Sequence, residues 1–326
     1  MYFWHSLQKP IMALAPMADV TDAAFRRVIA KYSKMHTPGG LPVEYVTWTE
    51  FVSADGLALA PEEGRRKLMM DLMYTESERP IVAQFFTSHP EHMEKAAALA
   101  RELGFDGVDI NMGCPDKSIE KQGAGAAHIK DPVRAKEVIA AAKQGAGPLP
   151  VSVKTRLGYN TDELDTWLPH VLSAKPAVVT LHARTRKEMS LVPARWERVK
   201  AAVEIRNSVA PEVLLFGNGD VQSVADAREK VSETGADGAM LGRAIFGNPW
   251  LFAETKPSLE EKLKVMVEHT KLYEELLPEK SFAIMKKHYK AYVNGFDGAA
   301  ELRSALMNAP DAQSVESIVI QFLGGK

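Results

Sequence analysis

The sequence is poor in cysteine: Cys114 is the only one among 326 residues. A lone thiol excludes an intramolecular disulfide and fits a reducing compartment. Long apolar runs are also missing, since none approaches the roughly 18 residues that a membrane helix needs. The apolar patch at the N-terminus is interrupted by Pro10 and has no basic leader. We therefore expect a cytoplasmic protein without a signal peptide or a membrane span.

A strong net charge is absent as well. The formal charge at pH 7 is −2, from 40 lysines and arginines against 42 aspartates and glutamates. Nucleic-acid binders are often strongly basic, so a nucleic-acid partner here must be held by a local patch. Apolar residues at 46% and charged residues at 25% are ordinary for a globular protein that buries a substantial core.

Short apolar runs alternate with amphipathic stretches over most of the chain. The eight runs, each of strand length, are 11–14, 44–48, 81–86, 107–111, 150–155, 177–182, 213–217 and 238–241. Several are almost continuously hydrophobic, as strands buried on both faces are. Stretches between them, such as "PEHMEKAAALARELG", begin with proline and end with glycine, as helices do. The pattern predicts a (β/α)₈ TIM barrel over 1–254, with an open doubly wound sheet as the alternative.

Beyond residue 254 the periodicity is helical throughout, with no further strand pattern. We predict a separate, small all-helical C-terminal domain over 255–326. Within it "MKKHYK" contains Lys286, Lys287 and Lys290, which share one helix face because they are three and four residues apart. This face is either a grip for phosphates or an ordinary solvated surface.

Polar residues and glycines concentrate where the predicted strands end. In (β/α)₈ barrels, binding and catalytic groups gather at the C-terminal strand ends. The segments "FGNGDV" and "MLGRAIF" place glycine-flanked loops after the seventh and eighth strands, each before a predicted helix. Backbone N–H groups in such loops can bind a phosphate, with Arg243 as the counter-charge. Ordinary tight turns are the competing interpretation.

Three further side chains fall inside or at the end of predicted strands. Lys154 lies in or beside a buried strand, where an amine needs a negative partner unless it turns outward to a helix carboxylate. The amide of Gln84 can pair with the donor and acceptor edge of a pyrimidine ring, or be satisfied within the core. His182 closes the sixth strand and is weak evidence when taken alone.

Cys114 lies in a Gly-Cys-Pro loop after the fourth strand. Gly113 permits a sharp turn and Pro115 stiffens the exit from it. A thiol with an ordinary pKa of about 8.5 is mostly protonated at neutral pH, so it can donate a proton as readily as act as a nucleophile. These residues leave the choice between acid and nucleophile open. One cysteine and scattered histidines lack the spacing of metal ligands, so we expect no metal site.

Six motifs in order along the chain carry a family resemblance. They are "APMADVTDAAFR", "DINMGCPDKSIEKQGAGAAHIKDP", "VSVKTRLG", "LHARTR", "LFGNGDVQS" and "GADGAMLGRAIFGNPW". Together they resemble the tRNA-dihydrouridine synthases, and "KKHYKAYVNGFDGAAELRSAL" resembles the helical domain of that family. The resemblance implies an FMN enzyme that uses NADPH to reduce a uracil base in tRNA.

The resemblance also implies roles for individual residues. The cysteine matching Cys114 is the proton donor, giving a proton to C5 of the base after hydride reaches C6. The residues that match FMN contacts are Pro16, Met17, Ala18, Gln84, Lys154, His182, Asn218, Gly219, Asp220, Gly242 and Arg243. Asn111 matches a contact to the uracil, and Arg156 and Arg184 match arginines near the base or its phosphate. The lysine face of the tail is expected to bind tRNA.

The chain departs from the family pattern after "LHARTR". Glu188, Ser190, Val192 and Arg195 stand where the family usually has Gln, Tyr and Gly before an Asp-Trp pair, although Trp196 is kept. A negative Glu188 would repel phosphate. The departures therefore concern the grip on the substrate rather than the flavin site.

Two other functions use the same residues differently. A dehydrogenase of a free pyrimidine, resembling dihydroorotate dehydrogenase, would use Cys114 as a base but has no need of a cationic tail. A tRNA-binding protein without catalysis would not need Cys114, Lys154 and Arg243 together. We expect a monomeric enzyme with tRNA as its partner.

Overall fold

The computed structural model describes residues 3–34 and 44–324. Eight parallel strands form one sheet. They are β1 (Ile11–Leu14), β2 (Thr47–Ser53), β3 (Ile81–Phe86), β4 (Gly107–Met112), β5 (Val151–Arg156), β6 (Val178–His182), β7 (Leu214–Asn218) and β8 (Gly238–Leu241). Three predicted strands have the observed ends, and four more differ by one residue at one or both ends.

The prediction for β2 was wrong in its bounds. The strand begins three residues later than predicted and continues through Thr49 and Glu50, which are buried within the sheet. These polar residues made the apolar run end early in the sequence. The register of β2 against β3 also shifts between Trp48 and Phe51, which is typical of a β-bulge.

The two ends of the strand order meet, so the sheet is closed. The order runs β1-β8-β7-β6-β5-β4-β3-β2, and β1 joins the far end through a parallel bridge between Ala13 and Val46. At this bridge the Leu14 N–H donates to the Val46 carbonyl, and the Val46 N–H donates to the Met12 carbonyl, both at 2.9 Å. The predicted (β/α)₈ barrel is therefore confirmed over the open sheet.

Helices connect the strands and continue after the last one. They are α1 (Ala23–Ser33), α2 (Ala54–Leu59), α3 (Glu62–Met70), α4 (Pro90–Glu102), α5 (Lys117–Glu120), α6 (Pro132–Ala146), α7 (Leu164–Ser173), α8 (Trp196–Val209), α9 (Val224–Thr234), α10 (Leu259–Leu276), α11 (Met285–Tyr292), α12 (Ala299–Met307) and α13 (Ala312–Gly324). Pro90 and Pro132 begin α4 and α6 as predicted. Among the described residues, no helix is long and apolar enough to cross a membrane.

The barrel interior changes from apolar to polar along the strands. Trp4, from a short 3₁₀ helix at Phe3–His5, packs against Trp48 and Phe216 with ring centroids 5.8 and 5.7 Å away. Two residues after buried Val82 comes Gln84, and two after Phe216 comes Asn218. Since alternate strand residues share a face, these polar side chains follow the apolar ones toward the C-terminal strand ends.

The described residues group into two compact units. The first comprises 3–17, 44–72 and 79–242, and the second comprises 18–34, 73–78 and 243–324. Helix α1 belongs to the second unit, in which Phe25 stacks on His269 with centroids 4.7 Å apart and Tyr32 donates to Glu268 at 2.7 Å. The sequence-based division into 1–254 and 255–326 stays a prediction.

Two histidines are fully buried in the second unit. His269 and His288 meet edge to face with centroids 4.6 Å apart. Within the described ranges, neither ring has a hydrogen-bond partner at either nitrogen. Burial lowers the pKa of His269 far below its ordinary value, and it lowers the pKa of His288 to about 3. Both rings are therefore neutral wherever the unit is folded.

Acid should destabilise this unit before most carboxylates titrate. Below about pH 6.5 the unfolded chain protonates both histidines and the folded chain does not. We expect the free energy of unfolding to fall with decreasing pH by up to about 1.4 kcal/mol per unit for each histidine. Urea unfolding between pH 7.5 and 5.5 measures the slope, and His288→Leu should reduce it. Substituting Asn for the exposed His170 should not, and equal slopes in all three proteins would contradict the assignment.

Candidate active site

A chain of hydrogen bonds crosses β3 and β4 inside the barrel and ends at the cysteine loop. The Gln84 amide donates to Asp109 Oδ2 at 2.6 Å, and the Asn111 amide donates to Gln84 Oε1 at 3.1 Å. Asn111 Oδ1 in turn accepts from the N–H groups of Gly113 at 3.1 Å and Cys114 at 2.9 Å. Asn111 thus fixes the backbone that carries the thiol.

Asp109 stands at the inner end of this chain. It is fully buried, and the Ser152 hydroxyl donates to its other oxygen at 2.5 Å. Burial raises the pKa of Asp109 to about 6, against the opposing effects of Ser152, Gln84 and the charge on Lys154. A carboxylate only accepts hydrogen bonds, so it sets which end of the Gln84 amide faces which neighbour. Our sequence analysis missed Asp109, although it precedes Asn111 by two residues and so shares its strand face.

The side-chain amides of Gln84 and Asn111 form hydrogen bonds within the protein but do not use all of their donors and acceptors. An amide offers two N–H groups and two acceptor lone pairs. Among the described residues, Gln84 uses one of its N–H groups and one lone pair, and Asn111 keeps one N–H group. Gln84 is fully buried, and the predicted contacts of the two amides with the flavin and the uracil stay predictions.

Lys154 on β5 carries the amine of the site. Its ammonium group donates to Asn218 Oδ1 at 3.2 Å, and the Asn218 amide donates to the Met240 carbonyl at 2.8 Å. Burial and then the charge of Arg156 lower the pKa of Lys154 to about 8. An ammonium has three donors, and among the described residues only Asn218 accepts from this one. The donor set fits an anionic group beside Lys154.

The Cys114 thiol lies partly buried against Phe86, Ile119 and Ala124. The Ala126 N–H donates to the Cys114 carbonyl at 2.9 Å. Gly125 has φ +60°, and a Cβ there would lie 2.8 Å from that carbonyl oxygen, so the turn requires glycine. Burial raises the pKa of the thiol, although a hydrogen bond from a backbone N–H at residue 116 opposes it. The thiol is therefore protonated at neutral pH.

Arg156 links the cysteine loop to the segment after β6. Its Nε donates to the Gly113 carbonyl at 2.7 Å, and its Nη1 donates to the carbonyls of Thr185 and Met189 at 3.1 Å. The side chain is 7% exposed. No residue in the described ranges accepts from Nη2, which leaves two N–H groups for a ligand. This agrees with the predicted position near the substrate, which stays a prediction.

Arg184 and Asp220 are paired with each other. Arg184 donates from Nη2 to Asp220, from Nε to the Val192 carbonyl at 2.6 Å, and from Nη1 to His182 Nε2 at 3.1 Å. Asp220 also accepts from the Ala194 N–H at 2.8 Å. The pair neutralises a carboxylate that would otherwise repel a phosphate. The predicted ligand contacts of His182, Arg184 and Asp220 stay predictions, and the pair has a structural role besides.

Two of the departures from the family pattern form an ion pair. Glu188 accepts from Arg195 Nη2 at 2.8 Å and from the Thr185 N–H at 2.7 Å. Its charge is therefore offset within the same loop, which weakens the expectation that Glu188 repels phosphate. The sequence could not show this pairing because it depends on how the loop folds back.

Glycines stand at the ends of β7 and β8, and a Cβ at Gly219 would lie 2.8 Å from the Ala194 Cβ. Gly219 has φ +122°, and a Cβ at Gly242 would have nothing nearer than Met17 Sδ at 3.6 Å. After β7, α9 follows as predicted; after β8 there is only a three-residue 3₁₀ helix, Arg243–Ile245. The expected α-helix there was wrong, because the chain continues into turns at 247–254. Arg243 and Ala18 belong to the second unit, so their contacts with FMN stay predictions, as do those of Pro16 and Met17.

The lysine face lies on α11. Lys286, Lys287 and Lys290 are exposed, and the opposite face buries Met285 and Tyr289. Lys287 Nζ lies 3.5 Å from Asp19 Oδ2, a loose and exposed contact. Three cations therefore point to solvent from two turns of helix.

A closed parallel barrel with an amine, an amide pair and a thiol at its strand ends defines a (β/α)₈ enzyme. A family profile described as "Dihydrouridine synthase (Dus)" matches residues 13–323. The chain belongs to the dihydrouridine synthase family, whose members are flavin-dependent oxidoreductases.

Curated relatives and solved structures agree with this assignment. "Probable tRNA-dihydrouridine synthase 2" of Bacillus subtilis is 39% identical over 98% of this chain and 96% of that protein. "Probable tRNA-dihydrouridine synthase" of Staphylococcus aureus is 37% identical over 98% of this chain and 95% of its own length. A structure of morphinone reductase in complex with tetrahydroNAD has TM-score 0.50 and 13% identity, covering 74% of this chain and 84% of that one. It supports the fold.

Replacing Asp109 should disturb the cysteine loop from a distance. In Asp109→Asn, one oxygen becomes an NH₂ group, which meets a donor if it faces Gln84 and forces the hydroxyl to accept instead of donate if it faces Ser152. We expect unfolding to become easier by roughly 1–3 kcal/mol, the cost of an unsatisfied buried group. We also expect Cys114 to react several-fold faster with iodoacetamide, because Asn111 no longer holds its loop.

The readout is clean because the chain has one thiol. Urea titration gives the stability, and mass spectrometry under native conditions gives the alkylation rate. Asp165→Asn, at a side chain 73% exposed on α7, is the matched control and should change neither. An unchanged alkylation rate in Asp109→Asn would refute the link to the loop.

Proposed function

We propose that this protein is a tRNA-dihydrouridine synthase. It reduces the C5–C6 bond of a uridine in tRNA, with FMN as cofactor and NADPH as reductant. The observation that carries the proposal is a thiol fixed by Asn111 near the ends of barrel strands, in a chain that matches this family over 13–323. Bound FMN would supply the hydride, which we assign to C6 of the base.

The residues that would hold FMN have complementary chemistry. Lys154 offers spare N–H groups to an anionic ring, and Gln84 offers an N–H and a lone pair to a pyrimidine edge. The absence of a Cβ at Gly242 and the positive φ of Gly219 would let the backbone N–H groups of these loops approach a phosphate ester. The full proposed set is Pro16, Met17, Ala18, Gln84, Lys154, His182, Asn218, Gly219, Asp220, Gly242 and Arg243.

Cys114 is the general acid in this proposal. Burial keeps its thiol protonated, and the proton goes to C5 of the uracil. The thiolate left behind is stabilised by the backbone N–H at residue 116 and by the charges of Arg156 and Lys154. The site thus keeps the Cys114 thiol protonated before the transfer and stabilises the thiolate that the transfer leaves.

Substrate recognition falls to two groups of residues. Asn111 and Arg156 have unused N–H groups for the base and its phosphate, and we keep Arg184 in this set through its place beside His182. Lys286, Lys287 and Lys290 bind the tRNA backbone. Reaching a base inside folded tRNA requires extruding it, which costs a few kcal/mol that such contacts offset.

The dehydrogenase of a free pyrimidine is not favoured, because the curated relatives are named for tRNA. The non-catalytic alternative does not fit an enzyme family. We also propose that the protein acts in the cytoplasm, in keeping with a tRNA substrate, and that it acts as a monomer.

Removing the thiol should separate chemistry from cofactor binding. Cys114→Ala should lower turnover of uridine in tRNA by about 10²–10⁴, the usual contribution of a general acid. The flavin spectrum of the purified variant and its reduction by NADPH should match the wild type, because no FMN contact is lost. Loss of flavin would instead mean that Cys114 shapes the cofactor site.

Neutralising the lysine face should weaken tRNA binding without changing flavin binding. In the triple variant Lys286→Gln, Lys287→Gln and Lys290→Gln, we expect the log–log slope of affinity against salt to fall by about 0.7–0.9 per lost phosphate contact. Filter binding of tRNA at salt concentrations of about 50–300 mM measures the slope. Flavin content should stay normal.

The matched control removes three exposed lysines from the outer helices of the barrel. Lys95, Lys136 and Lys200 lie on α4, α6 and α8, and their change to glutamine alters net charge equally. If the α11 variant keeps the wild-type slope, or if the slope of the control falls equally, the lysine face is not the tRNA-binding surface.

A further inference from the structure

Three side chains outside the site described above point ligand atoms at one another. Asp55 Oδ1 lies 2.7 Å from His92 Nδ1 and 3.1 Å from His89 Nδ1. All three atoms lie within 4.8 Å of one another. None of these residues has a part in the proposed reaction, so the cluster needs its own explanation.

The barrel brings these residues together from two neighbouring strand ends. Asp55 is in the first turn of α2, directly after β2, and the histidines open α4, three residues after β3. Pro90 fixes the start of α4, so His89 and His92, three residues apart, lie on one side of its first turn. The sequence does not reveal the cluster because Asp55 lies 34 residues before His89.

The donor set selects the kind of ion. Two imidazole nitrogens and one carboxylate oxygen suit zinc and related first-row divalent ions, whereas Mg²⁺ and Ca²⁺ require oxygen ligands. Tetrahedral zinc with ligand bonds of about 2.0–2.1 Å separates its ligands by about 3.3 Å. The distances from Asp55 Oδ1 to His92 and His89 must therefore open by about 0.6 and 0.2 Å, and each imidazole must present its Nδ1 lone pair.

The neighbours of Asp55 support a ligand role. The Thr87 hydroxyl donates to Asp55 Oδ1 at 2.5 Å, as second-shell groups do to carboxylate ligands. The Thr87 carbonyl is itself held by His128 Nε2 at 3.0 Å. Burial raises the pKa of Asp55, but hydrogen bonds from Thr87, His92 and His89 outweigh it and hold that pKa below its ordinary value. The carboxylate is ionised, as a ligand must be.

Exposure gives the cluster a closed side and an open side. The side chains of Asp55 and His92 are 16% and 13% exposed, and that of His89 is 52% exposed. An ion can approach past His89 and meet two ligands already in place. Three protein ligands leave a fourth position for water.

We propose that Asp55, His89 and His92 form a zinc site that fastens the start of α2 to the start of α4. This goes beyond the proposed reductase activity and runs against our expectation that the chain has no metal site. The ion would replace the hydrogen bonds that the two histidines now make with Asp55 Oδ1. It would brace the loop after β3, which contacts the segment following the cysteine loop through Thr87 and His128.

Metal titration of the tag-free, chelator-treated holoprotein tests the site. Calorimetry with Zn²⁺ should give one equivalent bound, and zinc should raise the melting temperature because it binds only the folded state. Co²⁺ should give the visible absorption of a four-coordinate site. Asp55→Asn and His89→Ala should each weaken Zn²⁺ at least tenfold, since even second-shell changes weaken metal sites by about that factor.

The controls separate this cluster from other ligands. His89→Ala changes a half-exposed side chain, so its fold should survive, and circular dichroism checks this. His170→Ala and Cys114→Ala should bind Zn²⁺ as the wild type does. The proposal is overturned if the wild type shows no saturable binding of Zn²⁺. It is also overturned if Asp55→Asn and His89→Ala bind Zn²⁺ as tightly as the wild type does. Flavin content and tRNA reduction report on the proposed function separately, because no variant of the cluster removes a residue assigned to it.

Discussion

A buried carboxylate determines the arrangement of the active site. Asp109 has no access to water, so its hydrogen bonds must come from the protein, and Gln84 and Ser152 supply them. Because Asp109 can only accept, Gln84 must turn its oxygen toward Asn111. Asn111 must then turn its own oxygen toward the backbone of Cys114. A single buried charge thereby sets the orientation of two amides and a loop.

The same constraint explains how one barrel end serves two kinds of group. Asp109 raises the pKa of the partly buried Lys154, which burial lowers, so the amine keeps its charge near neutral pH. Burial raises the pKa of Cys114 at the same time, and the thiol keeps its proton. A cation and an undissociated acid can therefore lie near each other. Both forms are the ones that the proposed delivery of hydride and proton to a uracil requires.

Sequence periodicity predicted the barrel well because its strands are buried on both faces. It failed at β2, where buried Thr49 and Glu50 look like the start of a loop. Candidate site residues could be proposed at the strand ends because topology brings strand ends together. Partners within the protein were not, since the pairing of Arg184 with Asp220 and of Glu188 with Arg195 depends on loop conformation. Chain spacing carries no such information.

The closure of the barrel has a mechanical consequence. From β3 to β8, neighbouring strands pair over runs of three to five residues, whereas β1 and β2 meet at the bridge between Ala13 and Val46. Local opening follows the seam with the fewest backbone bonds, so transient parting of the barrel wall begins there. The amide protons of Leu14 and Val46 are then the first of the wall to exchange with solvent. Strand β2 is then the strand of the barrel wall that separates from β1 while it stays paired with β3.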